Sequence, residues 1–317
     1  VRNWIVIGLI LLVVGLIGTF GTFGTKGDFS FGTEKVDRQQ TISGDGVRNI
    51  EIDTGSVDVK VVPGAGDEVK ASLTGRASKK YLDKLELKLA KEGDTLKVSF
   101  KDHLGFRIGF NILNVNLKLE VPQRQYASLK LDSGSGDNEV GGIQADAVVL
   151  DGGSGDMDLN GLRSKTITVS IGSGNLNASD VKADDGMKVK AGSGDVRIDG
   201  LTSKLIDVDL SSGNVNVADA DAELKLETGS GDITVEQQTI SRPAALRTGS
   251  GDVEYMTDEQ PADAEISFST GSGDLDNDWD GVKGMTDDDG VHHLVFGGGS
   301  VPVQVHTGSG DLDVGKR

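Results

Sequence analysis

The chain has 317 residues, no Cys, 46 Gly and only 4% aromatic residues, so a disulfide framework, a thiolate metal site and a lipid-modified Cys anchor are all excluded. Its formal net charge of −18 is unevenly spread: residues 131–317 hold 35 Asp and Glu against 13 Lys and Arg, and the first 130 residues hold 15 against 19. An acidic body repels phosphate, which excludes nucleic acid as a direct partner of that part.

Arg2 and the amino terminus precede Ile5 to Phe20, sixteen uncharged and mostly aliphatic residues. The run is short for a span but workable, with Trp4 at one interface. The expectation is an uncleaved anchor over 1–25, a single-pass cell-membrane segment with its positive end inside and everything after it extracytoplasmic. A secretory signal peptide is the rival reading. Residues 26–40 read as a linker, and together with the segment before them they carry Phe20, Phe23, Phe29 and Phe31.

From Thr41 the chain turns β-rich. Ile50-Glu-Ile-Asp-Thr-Gly-Ser-Val-Asp-Val59 resembles one copy of a later repeat whose turn lacks two residues. Val69, Ala71 and Leu73 alternate. Residues 78–91 suit either a helix, through Tyr81, Leu85 and Leu89, or a strand, through Leu85, Leu87 and Leu89. Leu96/Val98/Phe100, Ile108/Phe110/Ile112 and Val115/Leu117/Leu119/Val121 read as strands, and Pro122 stops the last. The longer, irregular strands mark 41–125 as an irregular β capping region.

From residue 126 to 317 the chain is a repeat array. Gly-Ser-Gly-Asp or a close variant starts at Gly134, Gly153, Gly172, Gly192, Ser211, Gly229, Gly249, Gly271 and Gly308. The last step, 37 residues, is about two ordinary ones, which places one unmarked rung in the gap. Apolar residues stand five and three positions before each turn, as Leu129/Leu131, Val148/Leu150 and Ile206/Val208. Others return in period two after it, as Met157/Leu159, Val196/Ile198 and Ile233/Val235. One repeat is therefore strand, Gly turn, strand, short turn. Such a unit cannot bury its own apolar face, but stacked units can. The fold class is all-β: a single-chain β-solenoid (β-helix) of ~19-residue rungs, preceded by one transmembrane helix. Ten rungs at about 4.8 Å make a rod of roughly 45–50 Å. The final copy, Val303 to Val314, has nothing regular after it and reads as an open far edge, a place for pairing with something else.

The run Val115-x-Leu117-x-Leu119-x-Val121-Pro122, then Leu129-x-Leu131-x-Ser-Gly-Ser-Gly-Asp137, then rung after rung of Ser-Gly-Asp, resembles the putative-adhesin family of bacterial β-strand-repeat proteins, a domain of unknown function. With the apolar N-terminal run, the chain is similar to LiaG-like membrane proteins of Gram-positive envelope-stress operons. The resemblance implies an envelope-associated, non-enzymatic protein, and it carries over no catalytic residue.

The turn residues Asp137, Asp156, Asn175, Asp195, Asn214, Asp232, Asp252, Asp274 and Asp311 form a ladder if the rungs stack in register. Like charges so close repel by up to about 1 kcal/mol per pair in water-like surroundings. The expected relief is local, with Asp and Ser side chains accepting backbone N–H groups in the tight turns. The rival is Ca²⁺ held between rungs by Asp137, Asp156, Asp195, Asp232, Asp252, Asp274 and Asp311. No other cofactor is expected. The Gly-rich turns lack the Lys-[Ser/Thr] ending of a phosphate loop. His292 and His293 fall on opposite faces of a strand and make a poor chelate.

A binding site should break the repeat. The broken zone holds Asp274, Asp276, Asp278, Trp279, Asp280, His292 and His293, and it is the candidate ligand zone. The functional reading is a non-enzymatic interaction or structural module of the cell envelope. Its partners would be the membrane through the N-terminal helix, and a cell-wall polymer, an envelope protein or a cationic peptide. The alternative is an extracellular carbohydrate-active β-helix enzyme, which needs clustered, non-repeating carboxylates along an aromatic-lined groove.

Overall fold

The computed structural model describes residues 32–102, 113–286 and 290–317. The expected anchor over 1–25, the first part of the linker and the strand expected at Ile108 to Ile112 lie outside the described residues. Among the described residues no helix is long and apolar enough to cross a membrane.

Among the described residues period-two alternation becomes strand, as at Val69–Leu73, Leu96–Phe100 and Val115–Val121. The strands assemble into two long sheets, of 13 and 14 strands, that are parallel through almost their whole length. One rung shows the plan. Gln144–Ser154 lies in one sheet, the chain turns at the Gly-rich corner, and Met157–Asn160 lies in the other. The next rung repeats this as Arg163–Ser173 and Leu176–Ser179. Stacking is in register: Leu150 pairs with Val169 and Met157 with Leu176. Inward residues such as Val148, Leu150, Met157 and Leu159 are at most 1% exposed. Each full burial of such a side chain contributes roughly 1.5–3 kcal/mol before ordering entropy is counted. The fold is thus all-β and solenoid-like, with a thin core between the sheets.

The second corner needs a left-handed residue. Gly142, Gly161 and Gly200 supply it with φ of 66°, 62° and 63°, and Asp180 and Asp219 take the same place at 48° and 49°. Asp tolerates this region because its short polar side chain bonds locally. The residue that follows is apolar and buried, as with Ile143, Leu162, Val181 and Leu201.

Rungs stack in chain order from Gln125 to Thr257 but not at the ends. Asn49–Thr54 pairs with both Gln125–Ser133 and Thr95–Asp102, and Asp58–Gly64 pairs with both Asn138–Gly141 and Leu113–Pro122. Residues 49–64 are therefore an interior rung, and the strands Glu68–Ser78, Leu85–Glu92, Thr95–Asp102 and Leu113–Pro122 lie outside it at the end of the stack. Strand pairing thus runs across the boundary drawn at 125/126. The first turn does not lack residues, because Gly55, Ser56, Val57 and Asp58 fill all four places. Residues 78–91 resolve into a 3-10 turn, Lys79–Lys84, and a strand, Leu85–Glu92.

The far end mirrors this. Val301–Ser309 pairs with Ala244–Ser250 on one side and Ala264–Thr270 on the other. Leu312–Lys316 likewise lies between Val253–Thr257 and Leu275–Asn277. The final copy is thus an interior rung and not the open edge expected of it. Among the described residues the gap from 271 to 308 holds no additional parallel rung of the kind expected. It holds a hairpin, Lys283–Thr286 and His292–Phe296, that runs antiparallel on Ala264–Thr270.

The two ends differ in how they are closed. At the N-terminal end, Leu85–Glu92 runs antiparallel on Thr95–Asp102, and Glu68–Ser78 runs antiparallel on Leu113–Pro122. Side chains of the strand Thr33–Ser43 then cover the backbone of 82–89. Arg38 donates to the carbonyls of Leu85 and Leu82, each at 2.6 Å, and Gln40 both donates to Leu87 O and accepts from Leu89 N. At the C-terminal end the hairpin closes one sheet, while the other ends on the three residues Leu275–Asn277.

Candidate functional site

The repeated Gly turn is built by close approach of backbones. A Cβ on the third turn residue would stand 2.3 Å from the carbonyl oxygen of the rung before at Gly155, 2.2 Å at Gly174, 2.1 Å at Gly213 and 2.0 Å at Gly310. No side chain fits there, and all nine downstream copies have Gly at this place. Val57 holds it in the rung 49–64. The first turn place is less strict, and Ser211 occupies it.

The turn carboxylates then form one continuous ladder. The N–H of Asp137 donates to Oδ1 of Asp58, that of Asp156 to Asp137, that of Asn175 to Asp156 and that of Asp195 to Asn175. The series continues through Asn214, Asp232, Asp252 and Asp311 to Asp274, at distances of 2.8–2.9 Å. A backbone donor does supply the relief expected for these groups, but it belongs to the next rung rather than to the same turn. Asn175 and Asn214 accept through the amide oxygen as the Asp residues do through theirs. Among the described residues no group of three or more His, Asp or Glu stands placed to hold a metal ion.

The candidate ligand zone divides between the two sheets. Asp274, Asp276 and Asp278 line the outermost strand of one. There Asp278 N donates to Val314 O at 3.0 Å, and Asn277 brackets the turn by bonding both the O and the N of Trp279. Trp279 is buried, with the Lys316 ammonium 5.0 Å from its ring centroid, and Asp280 O accepts from Gln260. Asp313 sits among Asp276, Asp311, Asp252 and Asp278. Burial first, and then these like charges, hold its carboxyl above the usual range. His292 and His293 belong to the other sheet, paired with Phe268 and Ser267.

Folding also makes two Ser–His contacts that the sequence does not announce. Ser269 Oγ lies 2.9 Å from His306 Nδ1, and Ser267 Oγ lies 3.2 Å from His293 Nδ1. Glu265 is 3.3 Å from the same Nδ1 of His293. A nucleophile relay needs the base to use its two nitrogens for different partners, and an oxyanion hole beside them. Here Ser and Glu share one nitrogen, and the strands beneath are flanked on both sides, so their N–H groups are spent in the sheet. The contacts link neighbouring rungs; only their partners' positions, 26 and 37 residues away, hid them.

The outer face of the sheet built from the longer strands carries a shallow trough of about 590 Å³, lined by Asp132, Asp151, Ser170, Lys190 and Asp209 with the turn glycines between. These are equivalent positions of successive rungs, and no aromatic residue lines them.

A family model described as Toastrack DUF4097 matches residues 47–315. Solved structures of similar fold include a putative adhesin from Parabacteroides distasonis, with a TM-score of 0.51 and 13% identity over 88% of this chain and 97% of its own. A putative adhesin from Bacteroides fragilis has a TM-score of 0.45 and 13% identity over 89% and 97%. A putative lipid binding protein from Parabacteroides distasonis has a TM-score of 0.48 and 15% identity over 87% and 96%. No curated protein matches the chain.

Proposed function

The chain belongs to the Toastrack DUF4097 family, and on that footing we propose that it is a non-enzymatic interaction or structural module of the cell envelope. The observation that carries this reading is the ladder from Asp58 to Asp274. The acidic turn side chains that would have to do chemistry are equivalent from rung to rung, and each turn oxygen before the last accepts the next backbone N–H. The non-repeating stretches form the ends of the stack, and the hairpin closes one of the two sheets at the C-terminal end. The trough on the longer-strand sheet is flat and without aromatics, which disfavours the carbohydrate-active alternative. The adhesin names of the structural neighbours agree with a surface role.

The finer part of the proposal concerns placement. Ile5 to Phe20, preceded by Arg2, would anchor the chain in the cell membrane as a single pass, with the sheets on the outer side. A role in an envelope-stress response and partners among wall polymers, envelope proteins or cationic peptides belong to the same reading.

The test uses the full chain in neutral detergent. It is co-sedimented with purified cell walls and, separately, incubated with a panel of acidic and neutral polysaccharides. We expect salt-sensitive sedimentation with the walls, no new reducing ends and no absorbance of unsaturated uronate. Turnover of any glycan would overturn the reading in favour of an enzyme.

A further inference from the structure

Among the described residues the outermost strand of the second sheet, Leu275–Asn277, has a neighbour on one side only. The repeat register tells which of its groups face the open side. In every interior rung the first residue after the Asp or Asn donates its N–H to the turn carbonyl of the next rung: Val215 to Asp232, Ile233 to Asp252, Val253 to Asp311 and Leu312 to Asp274. Leu275 is the same residue of the last rung. The third turn Gly also donates outward, as Gly231 does to Ser250, Gly251 to Ser309 and Gly310 to Ser272. Gly273 is its last representative. Asp274 ends the carboxylate ladder, since Oδ1 of each earlier member accepts the next rung's N–H and no rung follows. Two donors and one acceptor therefore stand in a row with the spacing of a missing rung. Leu275 and Asn277 are only half-buried, unlike the equivalent residues Leu312 and Val314 of the rung before.

We propose that this edge takes up an extended, basic peptide segment of another protein as an added parallel strand. This rests on the interaction-module reading and gives it a place. The backbone groups at the edge ask only for a main chain with a carbonyl, an N–H and a carbonyl in sequence, which is strand addition. Charge selects the occupant. Asp274, Asp276 and Asp278 are exposed along the edge, and Asp313 and Asp311 stand on the strand behind it. The crowding that keeps Asp313 above the usual carboxylate range would be relieved by Lys or Arg on the incoming strand. A second copy of this chain is a poor occupant. Its corresponding edge carries the same acids, and at the N-terminal end of its other sheet Arg38 and Gln40 cover the backbone of 82–89.

The experiment uses the full chain in neutral detergent and a fluorescent decapeptide of alternating Lys and Val, at low ionic strength. A second probe has the same residues with alternate backbone nitrogens methylated, and a third has Glu for Lys. We expect saturable binding of the first probe and at least ~tenfold weaker binding of the other two. Leu275→Pro should weaken the first probe by a similar factor, since that N–H supports no internal bond. Amide exchange at Gly273 and Leu275 should slow when the first probe is present, which keeps the test independent of how the variant folds. Equal binding of the plain and methylated peptides would overturn the proposal, because it means adsorption by charge alone. So would no binding, or protection appearing away from 273–277. If the peptide fails while sedimentation with walls persists, only the edge is lost. If glycan turnover appears, the underlying reading falls.

Discussion

The backbone N–H of Asp156 donates to Oδ1 of Asp137, 2.9 Å away and one rung earlier in the stack. Repeated from Asp58 to Asp274, this bond gives each turn oxygen before the last a backbone donor from the next rung. The oxygen that matters is an acceptor, and an amide serves as well, as Asn175 and Asn214 show. We expect Asp156→Asn to leave the unfolding midpoint nearly unchanged and Asp156→Ala to cost about 1 kcal/mol or somewhat more, read by chemical denaturation. If Asn destabilises as much as Ala, charge rather than hydrogen bonding is required at these turns.

The same bond frames the calcium question. A cation bound in the folded state raises the thermal midpoint in proportion to RT ln(1 + [L]/Kd). We expect circular dichroism melts with Ca²⁺ and with chelator to coincide within error. A large rise at millimolar Ca²⁺ would assign a metal to the turn ladder.

Glycine is not equally necessary at the two places of the turn. A Cβ at Gly213 would lie 2.1 Å from Gly194 O, where φ is also 122°, and one at Gly172 would lie 2.5 Å from Gly153 O. The first place already holds Ser211 in one rung. Gly213→Ala should cost more than about 3 kcal/mol, through displacement of a whole neighbouring turn. Gly172→Ser should cost about 1 kcal/mol. Equal losses in thermal melts would show that conformational freedom alone, and not the neighbouring carbonyl, sets the requirement.

Two carboxylates should respond to pH with opposite signs. Burial pushes Asp207 upward, but hydrogen bonds from Lys188 at 2.9 Å and Lys225 at 3.2 Å outweigh it and hold its pKa below the usual range. Its stabilisation is present above the unfolded value of about 3.9 and is lost as pH falls through the folded one. Asp313 is raised, so it opposes folding once ionised. Asp207→Asn should lower the midpoint at pH 7 by about 1–3 °C, and Asp313→Asn should raise it by a similar amount. Both differences should vanish near pH 2, where the carboxyls are protonated in either state. A shift that persists there would be a packing effect.

The sequence announced the rung because its chemistry is local. Alternation fixes which residues face inward, and Gly-Ser-Gly-Asp marks the corner. It did not announce the order of rungs at the ends. Pairing partners there are 79 residues apart for Asp58 and Asp137 and 59 for Asp252 and Asp311, and nothing in a strand's own residues says which neighbour it will take. The signal was present in weak form. Thr54-Gly-Ser-Val-Asp58 is one more copy of the turn, with Val at the place Gly holds elsewhere, and the 37-residue step to Gly308 matches an excursion and return. The ladder was legible as a column of acids, but its donor was misassigned, because a turn's own N–H and the next rung's cannot be told apart by composition. The Asp274–His293 zone was found as a break in the pattern and proves to divide into an edge and a hairpin.

The inserted position of the last rung makes a further expectation. Val303 and Val305 are buried between Ala244–Ser250 and Ala264–Thr270, and Thr307 Oγ1 donates to Gly310 O at 2.8 Å and lies 2.9 Å from Thr270 Oγ1. Among the described residues the segment 264–296 therefore has no direct strand pairing to the body of the stack and is held through residues 301–316. A chain ending at Gly299 should lose protection against amide exchange and protease throughout 264–296, while 125–257 keeps its own. Repeat arrays allow this, since each rung is stabilised by its nearest neighbours. Adding a synthetic peptide of residues 300–317 should restore protection in 264–296 in a concentration-dependent way. Unchanged exchange in 264–277 after the truncation would mean that this rung moves in to pair directly with Ala244–Ser250. The order of the last two rungs would then be set by chain connectivity and not by the fit of Phe268, Val305 and Leu246.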